Sequence, residues 1–309
     1  AASDVYKRQR HEVKWIYACS HRSTYAALVC RLVLDIPFFI MGHGTEWNDT
    51  TLLKTILIRR AKGLFANSNY TANLMRNFTD RSVTVVPLGA DADYYKPGLV
   101  DESDIKRIRK KYAISGTPVL LSVGRLNPRK GHDITLRALL QVRAQYPDIQ
   151  LIIIGASMID ARAYEASLYH FIEQEKIEQN VIFIPRVSRA ELRSFYDLAD
   201  IFILSSREYQ GDVEGFGIAL IEANLMCTPV VASDSGGIAD AVEDGKSGIL
   251  YHCENADDLA DKLLSLLNND NLRSKMGEYG RERALGAFNW SVVAEKTWIE
   301  IAMKLKCYG

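Results

Sequence analysis

Glu214 and Glu222 lie eight residues apart and frame Gly215-Phe216-Gly217, within the stretch 212–237. The stretch follows a short apolar run and opens a helical pattern. Glycines at a helix start let the backbone approach a ligand closely. Free amides there, together with the helix dipole, form a site for an anion such as a phosphate. If the spacing were wholly helical, the two carboxylates would be separated by about 12 Å along the axis. That is too far for one acid–base pair. It suits two separate grips on an elongated ligand, because an ionised carboxylate only accepts and can hold two neighbouring hydroxyls.

A second constellation is Gly124-Arg125-Leu126-Asn127-Pro128-Arg129-Lys130-Gly131, directly after the apolar run 118–123. The carboxyl end of a strand is where open α/β sheets bind ligands. Arg125 as a planar fork and Lys130 as a point charge suit a diphosphate. Arg129 is expected to face solvent. The plain alternative is a basic surface turn.

The elements that must position these residues are short apolar runs alternating with amphipathic stretches. Strands are predicted over 13–18, 37–41, 63–66, 83–86, 118–123, 149–154, 181–184, 201–204 and 229–232, each short and mostly apolar on consecutive positions. Strands read this way when a parallel sheet is buried on both faces. Helical patterns lie between them, for example 23–34 and 134–146, which implies a doubly wound α/β sheet. The alternation breaks at 87–98, where two prolines and two glycines punctuate twelve residues. The expected organisation is a non-native leader at 1–10, a first Rossmann-like domain at 11–90, a linker at 91–100, a second domain at 101–288, and a final helix at 289–309 crossing back to the first domain. The second domain is expected to have six strands and the first only four. No glycine-rich turn precedes Val13, so a natural N-terminus is expected to have been lost.

Composition narrows the function. The net charge is zero, with 38 basic and 38 acidic residues, which argues against bulk electrostatic binding of nucleic acid. Five scattered cysteines without a CxxC pair fit reduced thiols in a cytoplasmic setting. No apolar run approaches a membrane span. Asp91-Ala92-Asp93 could in principle bind a metal, but its place in the linker favours a structural turn. His43, after a buried strand and before Gly44, is a site candidate. His11, His21, His132, His170 and His252 have no ligand spacing and are assigned to packing or surface. The helix at 52–62 could touch an anionic membrane, but a half-buried helix with a solvated basic face is the favoured reading.

Taken together, these motifs resemble a family-4 glycosyltransferase of GT-B architecture, with two facing Rossmann-like domains, the first incomplete. The resemblance rests on Glu214 to Glu222, Gly124 to Gly131, Ser235-Gly236-Gly237, Asp244-Gly245-Lys246-Ser247-Gly248, His43-Gly44-Thr45-Glu46, Asn67-Ser68 and Pro87-Leu88-Gly89-Ala90-Asp91. It runs from Val13 to the C-terminus. It implies a retaining hexosyltransferase that uses a nucleoside-diphosphate sugar and no obligatory metal or cofactor. GDP-mannose ranks first, from the similarity of 211–217 to users of that donor, and a UDP-sugar second. The acceptor would be a glycan or a lipid-linked sugar at the cytoplasmic membrane face. Arg125 and Lys130 would hold the diphosphate, and Glu222 the ribose. Glu214, Gly215 and the amides of Phe216 and Gly217 would hold the donor sugar, with Gly89 also at the donor. Arg186 and Val187 would contact the base, and His43 would sit at the reaction centre. Leu88 stands where the family often has Asn, and Pro185-Arg186 where Gly is common. The competing readings are an epimerase or phosphorylase on the same fold, or a non-catalytic nucleotide-binding fragment. No cofactor-bearing lysine for a phosphorylase is identifiable.

Overall fold

The computed structural model describes residues 13–49, 51–157 and 161–306. The expected leader at 1–10 and His11 lie outside the described residues. Two compact units emerge: residues up to Pro87 together with those from Val293 on, and Leu88–Val292.

The first unit has a parallel sheet in the order β1-β2-β3-β4: β1 (Ile16–Ala18), β2 (Phe38–Gly42), β3 (Gly63–Ala66) and β4 (Val83–Val85). Helices α1 (His21–Leu34), α2 (Leu52–Arg60) and α3 (Asn69–Arg76) connect them. β1 is shorter than the apolar run suggests, because only its last three residues pair, with Phe38, Phe39 and Ile40. Alternate strand residues feed opposite faces, as the two-residue strand period requires. Phe38, Ile40, Leu64 and Ala66 pack with Leu57, Ile58, Ala72 and Met75. On the other face Phe39 meets Trp15 and Phe65, and Trp15 meets Trp298 of the last helix.

On α2 the sequence reading needs correcting. Lys54 is buried and ion-paired with Asp49, while Leu52, Leu53 and Ile56 are exposed. Leu57 and Ile58 take the core side. The outward face is therefore apolar near its start and basic only at Arg59 and Arg60.

The second unit has six parallel strands: β5 (Val119–Val123), β6 (Gln150–Ile154), β7 (Val181–Ile184), β8 (Ile201–Leu204), β9 (Val230–Ser233) and β10 (Gly248–Tyr251). Their spatial order is β10-β9-β8-β5-β6-β7. Counted within the unit this is the 3-2-1-4-5-6 order of a Rossmann sheet, with its reversal between β5 and β8. Both faces are covered. Val119, Leu121, Ile152, Phe202, Leu204 and Val230 enter one core, and Leu120, Leu151, Ile153, Ile201, Ile203 and Val231 the other. That explains strands that are apolar at most consecutive positions. Helix α4 (Glu102–Lys111) leads into β5, and the crossovers are α5 (His132–Gln145), α6 (Arg162–Glu175), α7 (Arg189–Leu198), α8 (Ile218–Leu225) and the short α9 (Ile238–Ala241). After β10 come α10 (Ala256–Leu267), α11 (Asp270–Ala287) and α12 (Trp290–Lys306) without an intervening strand.

The stretch expected as a linker is folded into the second unit. Tyr95 is only 3% exposed and stacks edge-on with Tyr196. Asp91 makes the expected structural turn, accepting from the Tyr94 amide through Oδ1 at 3.1 Å and pairing with Arg189. The apparent punctuation at 87–98 thus bends the chain onto α7.

Gly131 fixes how the exit of β5 meets the exit of β8. Its φ is 63°, and a Cβ there would lie 2.0 Å from the Ser205 carbonyl oxygen. Gly98, at φ 83°, has nothing within 4 Å of such a Cβ. Gly98→Ala should therefore cost only the left-handed strain of about 1–2 kcal/mol. Gly131→Ala should cost about 1–3 kcal/mol more, because a backbone oxygen must move. Urea unfolding of both variants measures the difference; equal losses would refute the tight junction.

Candidate functional site

The site is built where the strand order reverses. After β5 the chain makes a 3-10 turn at Pro128–Lys130, capped by the Asn127 side chain on the Lys130 amide at 3.2 Å. After β8 it runs through Ser205 and Ser206 into a loop that ends at Gly217, the N-cap of α8. Arg207 ties the two exits together. Its backbone amide donates to the Arg129 carbonyl at 2.8 Å, and its Nε to the Pro128 carbonyl at 2.9 Å. Its guanidinium then grips Asp133 at the start of α5 with both terminal nitrogens, at 3.0 and 3.2 Å.

Glu214 is the centre of the arrangement. One carboxylate oxygen, Oε2, accepts from Arg129 Nη1 at 2.8 Å, from Lys130 Nζ at 2.5 Å and from Ser206 Oγ at 3.2 Å. Arg129 Nε also faces Asp212 Oδ2 at 3.0 Å, an ion pair without hydrogen-bond alignment. Burial would raise the Glu214 carboxyl, but the charges of Lys130 and Arg129 overcome it and hold the group down at about 2. Arg129 is buried, at 8% exposure, so its expected solvent-facing role is wrong. The sequence pattern cannot reveal this, because the partner lies 85 residues away.

The Ser-Gly-Gly turn supports Glu214 from behind. The Gly237 amide donates to the Glu214 carbonyl at 2.8 Å. At Gly236, φ 59°, a Cβ would lie 2.5 Å from that same carbonyl oxygen. Glycine there permits both the left-handed turn and the contact.

Glu214 precedes α8, so the spacing to Glu222 is not helical, and the two carboxylates have separate partners. Glu222, on α8, accepts from Tyr196 Oη at 2.8 Å. Burial raises its carboxyl, and hydrogen bonds from Tyr196 and Tyr95 oppose that rise. Between them, Phe216 is buried and packs its ring on Phe288 at 5.6 Å between centroids. The amides of Phe216 and Gly217 make no hydrogen bond with another described residue. They lie at the N-terminus of α8, where Gly217 is the N-cap, a place that can receive an anion.

Arg125 lines a cavity of about 700 Å³ with Asn127, Arg129, Tyr164, Tyr209 and Asp212. Its carbonyl faces His132 Nε2 at 3.2 Å. A carbonyl only accepts, so that nitrogen carries the proton. Burial pushes His132 down to about 4, and it stays neutral under the cationic turn. Arg186 is exposed and Val187 half-buried in the loop after β7. Gly89 lies under the Trp290 indole, where a Cβ would come within 2.9 Å of the ring, so packing explains that glycine. His43 ends the path out of β2 in the first unit; its amide donates to Glu46 Oε1 at 2.5 Å and its carbonyl accepts from Asn67 Nδ2 at 2.9 Å. Sequence reasoning missed Ser206, Arg207, Asp133 and Tyr196. A serine pair and an arginine just after a strand, with an acid three residues past Lys130, were the available signal. Among the described residues no group of three His, Cys, Asp or Glu side chains is arranged to hold a metal ion, and no helix is long and apolar enough to cross a membrane.

The chain is similar to known proteins in sequence and in fold. The family model "Glycosyl transferases group 1" matches residues 104–283. A GDP-mannose-dependent alpha-(1-6)-phosphatidylinositol monomannoside mannosyltransferase of Mycolicibacterium smegmatis is 30% identical over 256 residues, covering 81% of this chain and 65% of that protein. A D-inositol 3-phosphate glycosyltransferase of Corynebacterium jeikeium is 35% identical over 295 residues, covering 93% of this chain and 66% of that protein. The chain thus spans about two thirds of the length of these relatives. Among solved structures, Anabaena HepE in complex with UDP and glucose superposes with a TM-score of 0.83 at 21% identity, over 97% of this chain and 80% of that one. Sucrose-phosphate synthase from Thermosynechococcus elongatus gives 0.79 at 19% identity, over 100% of this chain and 77% of that one.

The electrostatics of Glu214 make a stability prediction. Its folded-state value lies below the ordinary 4.5, so its contribution is present above 4.5 and is lost as pH falls toward about 2. Glu214→Gln leaves Arg129 and Lys130 without their shared carboxylate and should cost about 3–5 kcal/mol at pH 7. The gap between wild type and variant should shrink at pH 3. Urea titrations of both proteins at the two pH values measure it. A gap independent of pH would show that the cluster is not electrostatic.

Proposed function

The chain belongs to the glycosyl transferases group 1 family, and on that premise we propose that it transfers a hexose from a nucleoside-diphosphate sugar to a glycan or lipid-linked acceptor, with retention of anomeric configuration. The observation that carries this reading is the meeting of Lys130, Glu214 and the Phe216 and Gly217 amides where the Rossmann strand order reverses. That is the crevice where open α/β sheets take nucleotides.

In this reading Arg125 and Lys130 receive the diphosphate. Lys130 has three N–H donors, and the one on Glu214 aims the ammonium while two remain for phosphate oxygens. The cation stabilises negative charge as the sugar–phosphate bond breaks, in a position fixed before the substrate arrives. Glu214, with Gly215 and the Phe216 and Gly217 amides, takes the donor sugar hydroxyls. Glu222 takes the ribose, and Arg186 with Val187 the base. His43 is assigned to the reacting centre through the resemblance of His43-Gly44-Thr45-Glu46. GDP-mannose is the preferred donor, supported by GDP-mannose-dependent relatives such as the M. smegmatis protein; a UDP-sugar is second. The family resemblance implies no obligatory metal, with Lys130 and Arg125 supplying positive charge to the leaving group. The exposed Leu52, Leu53 and Ile56 with Arg59 and Arg60 suit contact with an anionic membrane carrying the acceptor.

Calorimetry with GDP, UDP and ADP, with and without EDTA, tests the donor site. One nucleotide should bind at micromolar concentration, insensitive to EDTA. The Arg125→Ala/Lys130→Ala pair should weaken it by about a hundredfold or more, since each charge-assisted bond contributes about 1.5–3 kcal/mol. Undiminished binding by the double variant would refute the assignment of the diphosphate to this turn.

A further inference from the structure

Glu222 differs from Glu214 in having no salt bridge among the described residues. Its partners are phenols. Tyr196 Oη donates at 2.8 Å, and the Tyr95 hydroxyl acts on the carboxylate in the same sense. Neither phenol is free to move. Tyr196 is fully buried on α7, its carbonyl accepts from Thr228 Oγ1 at 2.6 Å, and its ring packs on Phe202 and on Tyr95. Tyr95 is held through its neighbours. Arg189 lies 3.8 Å over the Tyr94 ring and pairs with Asp91 at 2.9 Å. Burial, and then the nearby Glu222 charge, push both phenols upward, so they stay protonated donors.

A carboxylate has about four lone-pair sites. Two phenols fixed within the fold occupy part of this set and orient what remains. With neutral donors as partners, the carboxylate keeps its full charge for a second pair of neutral hydroxyls. We propose that Tyr196 and Tyr95 are positioning residues that aim the Glu222 carboxylate at a vicinal diol and so set selectivity for ribonucleotides over deoxyribonucleotides. This rests on the reading that Glu222 faces the donor ribose. Tyr196 comes from the crossover helix and Tyr95 from the segment at 88–97, so two separate parts of the unit converge on one carboxylate. The charged group facing it from these elements is Arg189, which acts in the same direction as the phenols.

The test is calorimetry of GDP against 2′-deoxy-GDP, or UDP against 2′-deoxy-UDP if uridine is the preferred base, with wild type, Tyr196→Phe, Tyr95→Phe and Glu222→Gln. Wild type should prefer the ribonucleotide by about tenfold or more, the scale of a hydrogen bond to a charged group. Each phenylalanine variant should lower that preference at least threefold while leaving 2′-deoxynucleotide affinity unchanged. A merely structural role would weaken both nucleotides alike. The preference needs an ionised Glu222, so it falls as pH drops through that group's titration. Each phenol's hydrogen bond lowers Glu222, so removing one should move this fall to higher pH. If Glu222→Gln removes the preference while both phenylalanine variants keep it and the pH profile unmoved, the positioning role is overturned. If Glu222→Gln itself keeps the preference, the ribose assignment fails, and the positioning proposal falls with it. Should Tyr196→Phe fail to fold, Tyr95→Phe carries the same comparison.

Discussion

The ion cluster of Glu214 with Arg129 and Lys130 joins the exit of β5 to the exit of β8 across the reversal in strand order. An isolated buried carboxylate or an isolated buried guanidinium would be expelled or neutralised. Here each is tolerable only because the other is present. The cluster therefore does two things at once. It closes the junction between the two strand ends, and it fixes Lys130 against the loop that leads into α8. Arg207 with Asp133, the Gly131 contact on Ser205 and the Gly236 turn all keep that cluster in register.

The two glutamates of the eight-residue motif are held by opposite means. Glu214 is neutralised by two cations and sits far below its ordinary titration range. Glu222 is half-buried beside Tyr196, and burial raises its carboxyl. Environments that push two like groups apart assign them different tasks. Glu214 organises positive charge at the exit of β5. Glu222 is a carboxylate held by a neutral phenol and without a salt bridge among the described residues. The motif is thus two separate devices on one short stretch, joined by the buried anchor of Phe216.

Much of this was legible from residue order. Continuous apolar strands announced a sheet buried on both faces, and alternate residues such as Leu120 and Leu121 do enter opposite cores. Glycines at 131, 215, 217 and 236 marked the places where backbone must turn or approach closely. What was not legible depended on long-range partners. Arg129 read as a solvated surface charge because its acid lies far along the chain. Tyr196 carries no signal in its local sequence, although its hydroxyl reaches Glu222. The segment at 87–98 read as a linker from its prolines and glycines. Local composition signals a bend, but cannot say that Tyr95 is then buried against α7.

The most direct measurement is a crystal structure of this chain with a bound nucleoside diphosphate. The account predicts phosphate oxygens within hydrogen-bond distance of Lys130 Nζ and Arg125, close to the Phe216 and Gly217 amides, with the Glu214–Arg129 pair intact and the ribose diol on Glu222. A diphosphate bound away from the β5 and β8 exits, with Lys130 still engaged only by Glu214, would contradict it.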